Sequence, residues 1–427
     1  MDIALLFGLL ALSLALSIPI GIALGLSTAI TLALTSPIPL TMMAQTCFTG
    51  LDSFPLLAIP FFMLAGSLMG YGGISKRLVG FAESLVNFMV GGLAMVTVVS
   101  CMFFAAISGS GPATVSAIGS FMIPSMKERS YSGPFAAALT AAAGSIGVII
   151  PPSIPFVIYC VISGSSIGEL FIAGIIPGIL IGFSLMLVSY FMAKKANLPK
   201  SDVPFSLGHL WKSFREAFWA LLVPGIILGG IYGGIFTPTE AAVVGVVYAL
   251  FIGKFVYKEL DYEKTRAAFL DTLVINGATS FILGLSISFA TFLTMEQIPL
   301  KVGNWVISVS GSPVVILLLI NAMLLCVGCF VDNISSMIIL TPIFLPVIKQ
   351  IGVDPIHFGL FMTVALAIGF VTPPYGVNLF VASAVSGEKI SEISKSVMPM
   401  IVVLIFDLLL LTFIPGLSTG LVRFLMH

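Results

Sequence analysis

The stretch Ala141-Ala-Ala-Gly-Ser-Ile-Gly-Val-Ile-Ile-Pro-Pro-Ser-Ile-Pro155 is apolar enough to lie in a membrane, yet it ends on three prolines within five residues. Proline lacks a backbone donor and clashes with the preceding helical turn, so a helix arriving from Phe135 must break at Pro151-Pro152. A second copy lies 222 residues further on, at Thr363-Val-Ala-Leu-Ala-Ile-Gly-Phe-Val-Thr-Pro-Pro-Tyr-Gly-Val377. The same offset aligns Pro124 with Pro346, Lys127 with Lys349, Ala143 with Ala365, Ile146 with Ile368, and Gly147 with Gly369. Pro177 continues the register at Pro399. Two halves that share a broken helix and a charged loop mark an internal repeat, a frequent construction among membrane transporters.

Each half carries a second interruption. In the first, Ala106-Ile-Ser-Gly-Ser-Gly-Pro112 is a polar, glycine-rich break within hydrophobic sequence; in the second it is Val331-Asp-Asn-Ile-Ser-Ser336. From Lys127 back to Gly111 is 16 residues, and from Phe135 forward to Ile150 is 15. The second half gives 16 from Lys349 to Asn333 and 16 from Ile356 to Thr372. At a helical rise of 1.5 Å per residue each leg is roughly 22–24 Å long. Legs that start at one surface therefore end together inside the bilayer, and each half reads as a re-entrant hairpin whose tip meets a broken helix.

Composition sets the surroundings. Of 427 residues 59% are apolar and 8% charged, and mean hydropathy is +1.17. A soluble domain carries about 25% charged residues. Eighteen basic residues balance eighteen acidic ones, which leaves no footprint for nucleic acid. No charge interrupts Ile3–Leu51, Ser53–Ser75, Ser84–Met126, Ser130–Gly168, Leu170–Ala193, Thr272–Met295 or Val302–Val331. With about 20 residues per spanning helix, roughly 11 to 13 membrane segments are expected, half-spans included. Met1-Asp2 leads straight into apolar sequence without a basic region or cleavage site, so the first helix is expected to be retained. The five cysteines, the Cys326-x-x-Cys329 pair among them, sit in apolar surroundings and read as packing.

Charged loops divide the chain. Residues 1–80 read as N-terminal scaffold helices and 81–193 as the first repeat, with its break at 151–155. Residues 194–300 read as connectors and scaffold helices, 301–396 as the second repeat with its break at 372–376, and 397–427 as a C-terminal helix. The stretch Lys194–Glu216 is rich in lysine and arginine, which favours the cytoplasmic side. Leu207, Leu210, Trp211, Phe214 and Phe218 fall on one helical face, which predicts a helix lying in the interface before the chain re-enters at Trp219. A second connector is expected at Asp261–Asp271.

Broken helices leave backbone groups unpaired, which hydrocarbon does not tolerate unless protein, water or a ligand pairs them. Carbonyls at half-helix ends suit a small hard cation, and helix N-termini suit a carboxylate. Ser108, Ser110 and Ser145 in the first half, and Asn333, Ser335 and Thr372 in the second, add neutral oxygens. Asp332 is the sole carboxylate at either tip, so an oxygen-built sodium site fits better than a proton relay, which wants a chain of ionisable groups. Glu240, three residues after Thr237, reads as a helix cap. Asp407 stands alone in apolar sequence with no role assigned. Neither a G-x-x-x-x-G-K-[ST] loop nor an H-E-x-x-H pair is present, so an enzyme is not expected.

Four segments resemble a known family. They are Phe54-Pro-Leu-Leu-Ala-Ile-Pro-Phe-Phe-Met-Leu-Ala-Gly66, Phe103-Phe-Ala-Ala-Ile-Ser-Gly-Ser110, Ala141 to Pro155, and Gly229-Gly-Ile-Tyr-Gly-Gly-Ile-Phe-Thr-Pro-Thr-Glu-Ala-Ala242. In them, and along nearly its whole length, the chain is similar to the large permease subunit of tripartite ATP-independent periplasmic (TRAP) transporters. The resemblance implies an all-α polytopic protein of the bacterial inner membrane with two repeats of opposite topology, and an elevator-type scaffold plus transport domain. It implies sodium as coupling ion with no other cofactor, a separate small four-helix membrane subunit, and a periplasmic substrate-binding protein. Sodium sites would fall at Ser108, Ser110, Gly147 and Pro151, and at Gly328, Asp332, Asn333, Thr372 and Gly376. A carboxylate would lie between the tips, against Gly111, Ser153, Ser335, Pro374 and Asn378. Sialic acid is the expected substrate, with a C4-dicarboxylate or another sugar acid as the alternative and a channel as the alternative of another class.

Overall fold

The structure is a computed structural model that describes residues 2–196, 205–309 and 311–426. All regular elements among them are helical. In chain order they are α1 (Asp2–Ala15), α2 (Ile20–Thr35), α3 (Thr41–Leu51), α4 (Ala58–Tyr71), α5 (Ile74–Val86), α6 (Gly92–Ser108), α7 (Gly111–Glu128), α8 (Gly133–Gly144), α9 (Ile154–Ser163) and α10 (Ile167–Lys195). Then follow α11 (Leu207–Tyr232), α12 (Pro238–Phe251), α13 (Tyr262–Met295), α14 (Ile298–Val309), α15 (Pro313–Gly328), α16 (Asn333–Gln350), α17 (Pro355–Gly369), α18 (Val377–Ser386), α19 (Ile390–Phe413) and α20 (Gly416–Met426). Seven helical stretches among the described residues are long and apolar enough to cross a membrane, and the chain is a multi-pass integral membrane protein.

The 222-residue offset reproduces helix ends as well as residue types. α7 and α16 begin and end at matched positions, and α8 and α17 begin at matched positions, Gly133 and Pro355. Both Pro151-Pro152 and Pro373-Pro374 are cis. The first hairpin is re-entrant: Thr97, early in α6, bonds the sulfur of Met126, late in α7, at 3.4 Å, so both outer ends share one surface.

Opposite topology follows from two long-range contacts. α17 and α18 do not pack along one another, so the chain runs on through its break and α18 ends on the surface opposite to the 351–354 loop. That end lies beside the other hairpin loop, because Lys127 Nζ donates to Ser386 O at 2.8 Å and pairs with Glu388 at 2.6 Å. Conversely, Tyr159 near the end of α9 donates to Pro355 O at 2.6 Å. Loops 129–132 and 351–354 therefore face opposite sides of the membrane. The halves clasp symmetrically, with α18 on α7 and α9 on α16.

Outside the repeats, α2, α3 and α4 pack on α13, α12 packs on α4, and α5 packs on α11. The divisions drawn at residues 80, 300 and 396 fall inside α5, α14 and α19. The interfacial helix expected before Trp219 is not a separate element. α11 runs unbroken over 26 residues because Pro224 is absorbed within it, and its amphipathic turns continue directly into apolar ones. Lys200 and its neighbours at 197–204 lie outside the described residues. Likewise the second connector is the start of the 34-residue α13, capped where Asp261 accepts from Lys264 N at 2.8 Å. At about 51 Å by helical rise this helix exceeds the full thickness of a bilayer.

Candidate functional site

The first tip is built by local bonding. Helix α6 stops at Ser108 because Gly109 takes φ +61°, a left-handed conformation that favours glycine. Ser110 then caps α7, accepting from Ala113 N at 3.5 Å. The gap is therefore only Gly109-Ser110, narrower than the Ala106–Pro112 break read from sequence. Ser108 Oγ lies 2.9 Å from Thr114 Oγ1, and Thr114 donates to Ser110 O at 2.8 Å. The broken helix closes on this tip: Ile154 N donates to Gly109 O at 3.3 Å, and a Cβ on Gly147 would sit 2.6 Å from Ser110 O and from Thr114 Oγ1. Ser153 caps α9 and donates to Val148 O at 2.6 Å. Ser145 donates to Ala142 O at 2.7 Å. Ser108, Ser110 and Gly147 are thus brought together, with Pro151 and Ser153 flanking the Pro152 carbonyl that faces Gly109 and the serine hydroxyls bonded within the first half.

The second tip differs in its polar bookkeeping. Here α15 ends at Gly328 and α16 begins at Asn333, so the break covers Cys329–Asp332, and Asn333 to Ser336 form a first helical turn rather than part of the break. Asp332, at the position of Ser110, caps α16 by accepting from Ser335 N at 3.0 Å through Oδ2. Its Oδ1 has no partner within the protein, and neither do Asn333 Oδ1 and Nδ2, Ser335 Oγ, Ser336 Oγ or Asn378 Oδ1, all buried. Each such buried group costs about 1–3 kcal/mol when unpaired. Gly369 of the broken helix lies against the backbone of Gly328, so a side chain at Gly369 would separate tip from break. Thr372 donates to Ile368 O at 2.8 Å, and Gly376 turns the chain into α18 at φ +42°.

Asn378 joins the halves. Its Nδ2 donates to Ala141 O at 3.1 Å, while its Oδ1 faces Gly111, where an added Cβ would meet it at 3.3 Å. Pro374, Tyr375 and Phe330 are exposed, whereas the first break from Gly144 to Ser153 is buried apart from Ile150. The N-termini of α7, α9, α16 and α18 and the C-termini of α6, α8, α15 and α17 end at the four interruptions. Helix N-termini attract anions and C-terminal carbonyls attract cations, so the arrangement offers places for both without a basic side chain. The donor set at the second tip, carboxylate, amide and hydroxyl oxygens, is of the kind a hard cation such as sodium prefers. The residues missed from sequence are Thr114 and Ser336, which the repeat offset maps onto each other. The described residues hold no cluster of three histidine, cysteine or acidic side chains fit for a transition metal.

Two inverted repeats, each carrying interrupted helices, define a polytopic all-α membrane fold. Solved structures of that shape cover nearly the whole chain. The YdaH transporter of Alcanivorax borkumensis superimposes with TM-score 0.61 at 15% identity over 90% of both chains. MtrF of Neisseria gonorrhoeae does so with TM-score 0.57 at 13% identity over 92% of this chain and 93% of its own. Sequence gives the family: residues 7–417 match the DctM component of the tripartite ATP-independent periplasmic transporters, and the chain belongs to that family. It is 48% identical to the isethionate TRAP permease protein DctMQ of Oleidesulfovibrio alaskensis over 89% of this chain, spanning 60% of that protein's length. It is 42% identical to the C4-dicarboxylate large permease DctM of Pseudomonas aeruginosa over 91% of each, and 40% identical to the sialic acid large permease SiaM of Vibrio cholerae over 89% of each. The chain is accordingly a transporter permease of the bacterial inner membrane rather than an enzyme.

Proposed function

We propose that this chain takes up a small organic acid together with sodium, by movement of its two clasped repeats as one transport domain against a scaffold formed by α1–α5 and α11–α13. The observation that carries the reading is the second tip, where Asp332 Oδ1, the Asn333 amide, Ser335 and Ser336 lie within five residues at the start of one helix, buried and with no partner of their own. Sodium would be held by Asp332, Asn333 and the Gly328 and Thr372 region, and at the first half by backbone carbonyls around Ser108, Ser110, Gly147 and Pro151. The acid would lie between the tips, near Gly111, Ser153, Ser335, Pro374 and Asn378, its charge met by helix N-termini, amides and sodium. Family membership supports two partners, a small membrane subunit and a periplasmic binding protein that delivers the solute.

Sialic acid remains the substrate proposed from sequence. C4-dicarboxylate, isethionate and 2,3-diketo-L-gulonate, named for relatives of comparable identity, are the competing choices. Proteoliposomes containing the chain and its partner subunit, given the binding protein and a panel of these four acids, decide among them. Uptake of one acid that needs both a sodium gradient and the binding protein is expected. Passive flux needing neither would make the protein a channel.

A further inference from the structure

Asp407 lies within α19, six residues before its end at Phe413, and plays no part in either tip. It is 1% exposed. Ser184 of α10 donates to its Oδ1 at 2.9 Å, and its Oδ2 has no partner. The helices that meet here, α10 and α19, are the matched long helices of the two repeats. The fold itself asks for no acid at this crossing, because the 222-residue offset places Leu185 where Asp407 stands and Phe406 where Ser184 stands. Charges are also remote. Of the elements packed on α19, α8 and α18 contain no ionisable residue. α17 contributes only His357, engaged by Ser418 Oγ at 2.6 Å and Thr412 O at 3.0 Å. α10 carries Glu169, Lys194 and Lys195 at its ends and Tyr190 within, and α19 itself carries Glu392 and Lys395 in its first turns. Lys194, the nearest cation along α10, is ten residues from Ser184, about 15 Å by helical rise. The ion pairs among the described residues, Arg77–Glu259 and Lys127–Glu388, leave Asp407 out.

An ionised carboxylate in such a place would be unpaired in a medium of low dielectric, whereas a neutral carboxyl needs only a proton. A dehydrated metal cation would require several more oxygens than Asp407 and Ser184 supply. We propose that Asp407, held in place by Ser184, is a proton-binding site: Oδ2 carries a proton in the enclosed arrangement described here. The O–H bond breaks to yield carboxylate and a proton taken by water when the α10–α19 crossing hydrates. The permease would then carry, besides its solute and coupling ion, one exchangeable proton at a place separate from both tips.

Infrared spectroscopy of the purified chain in nanodiscs, titrated from pH 5 to 10, tests this. Wild type is expected to show a protonated-carboxyl C=O band at pH 6 that Asp407→Asn lacks, and to lose that band reversibly as pH rises. Ser184→Ala, which keeps the acid and the fold, should move the band to higher frequency because the carbonyl oxygen loses its donor. Absence of the band in wild type at pH 6 would mean an ionised acid held by a cation. Persistence unchanged to pH 10 would mean a sealed structural acid. Either result overturns the proposal.

Discussion

Asp332 serves the backbone with one oxygen and leaves the other idle, and these functions separate by substitution. Asp332→Ser retains a capping hydroxyl, so thermal stability is expected to stay within about 1 kcal/mol of wild type. The sodium concentration for half-maximal uptake should rise about tenfold, the equivalent of roughly 1.4 kcal/mol. Ser108→Ala should weaken sodium activation less, since Ser108 Oγ is spoken for by Thr114 and contributes through the position of nearby carbonyls. Unchanged sodium activation in both proteins would leave Asp332 as a cap alone. A packing test accompanies these: Gly369→Ala drives a methyl into the Gly328 backbone and should cost about 3 kcal/mol or more, read as a lower melting point. Gly277→Ala in α13, with open space around it, should be neutral or mildly stabilising. At this scale sequence disclosed the residues that interrupt helices, because proline and glycine act locally. It did not disclose Thr114 and Ser336, which sit inside helical turns and acquire meaning only from what lies across the break.

Elements were legible where a local signal starts or stops them. The Thr237/Glu240 reading is realised as a reciprocal capping box, with Thr237 N donating to Glu240 Oε2 at 2.8 Å and Glu240 N to Thr237 Oγ1 at 3.3 Å. Glu240→Ala should lower the melting point measured in detergent, and Glu240→Gln should lower it much less. Helix joins were harder, because α11 and α13 carry amphipathic turns into apolar ones without a breaker, and Pro224 signals a break that packing overrides. The clasp between α7 and α18 was not legible either, as Lys127 and Glu388 are 261 residues apart in sequence. Their pair is partly exposed, at 36% and 23%, so a double-mutant cycle through Lys127→Ala and Glu388→Ala should return a coupling of about 0.5–1 kcal/mol. A value near zero would remove this clasp from the forces joining the halves.

For the whole molecule, inversion is the feature that most constrains what it can do. Single cysteines placed at Glu128→Cys and Gln350→Cys in a background without native cysteines should react with an impermeant thiol reagent from opposite sides of the membrane. Labelling from one side would refute the inverted arrangement. The repeat could be read from sequence because broken helices need the same residues in either orientation. Its inversion came from the family resemblance alone, because nothing in a 222-residue offset states which way the second copy points.

That inversion bears on how the chain is threaded into the membrane as it is made. Lys127 and Lys349 occupy the same place in their copies yet lie on opposite faces, so as votes for the positively charged side they cancel. Insertion must take its direction from elsewhere, chiefly Lys194, Lys195, Lys212 and Arg215 together with Lys76, Arg77, Lys254, Lys258, Lys264 and Arg266 in the loops that meet them. The hairpin lysines are therefore free to be exchanged without turning the protein over, while neutralising that whole set would leave the biosynthetic machinery with little to choose between two upside-down answers.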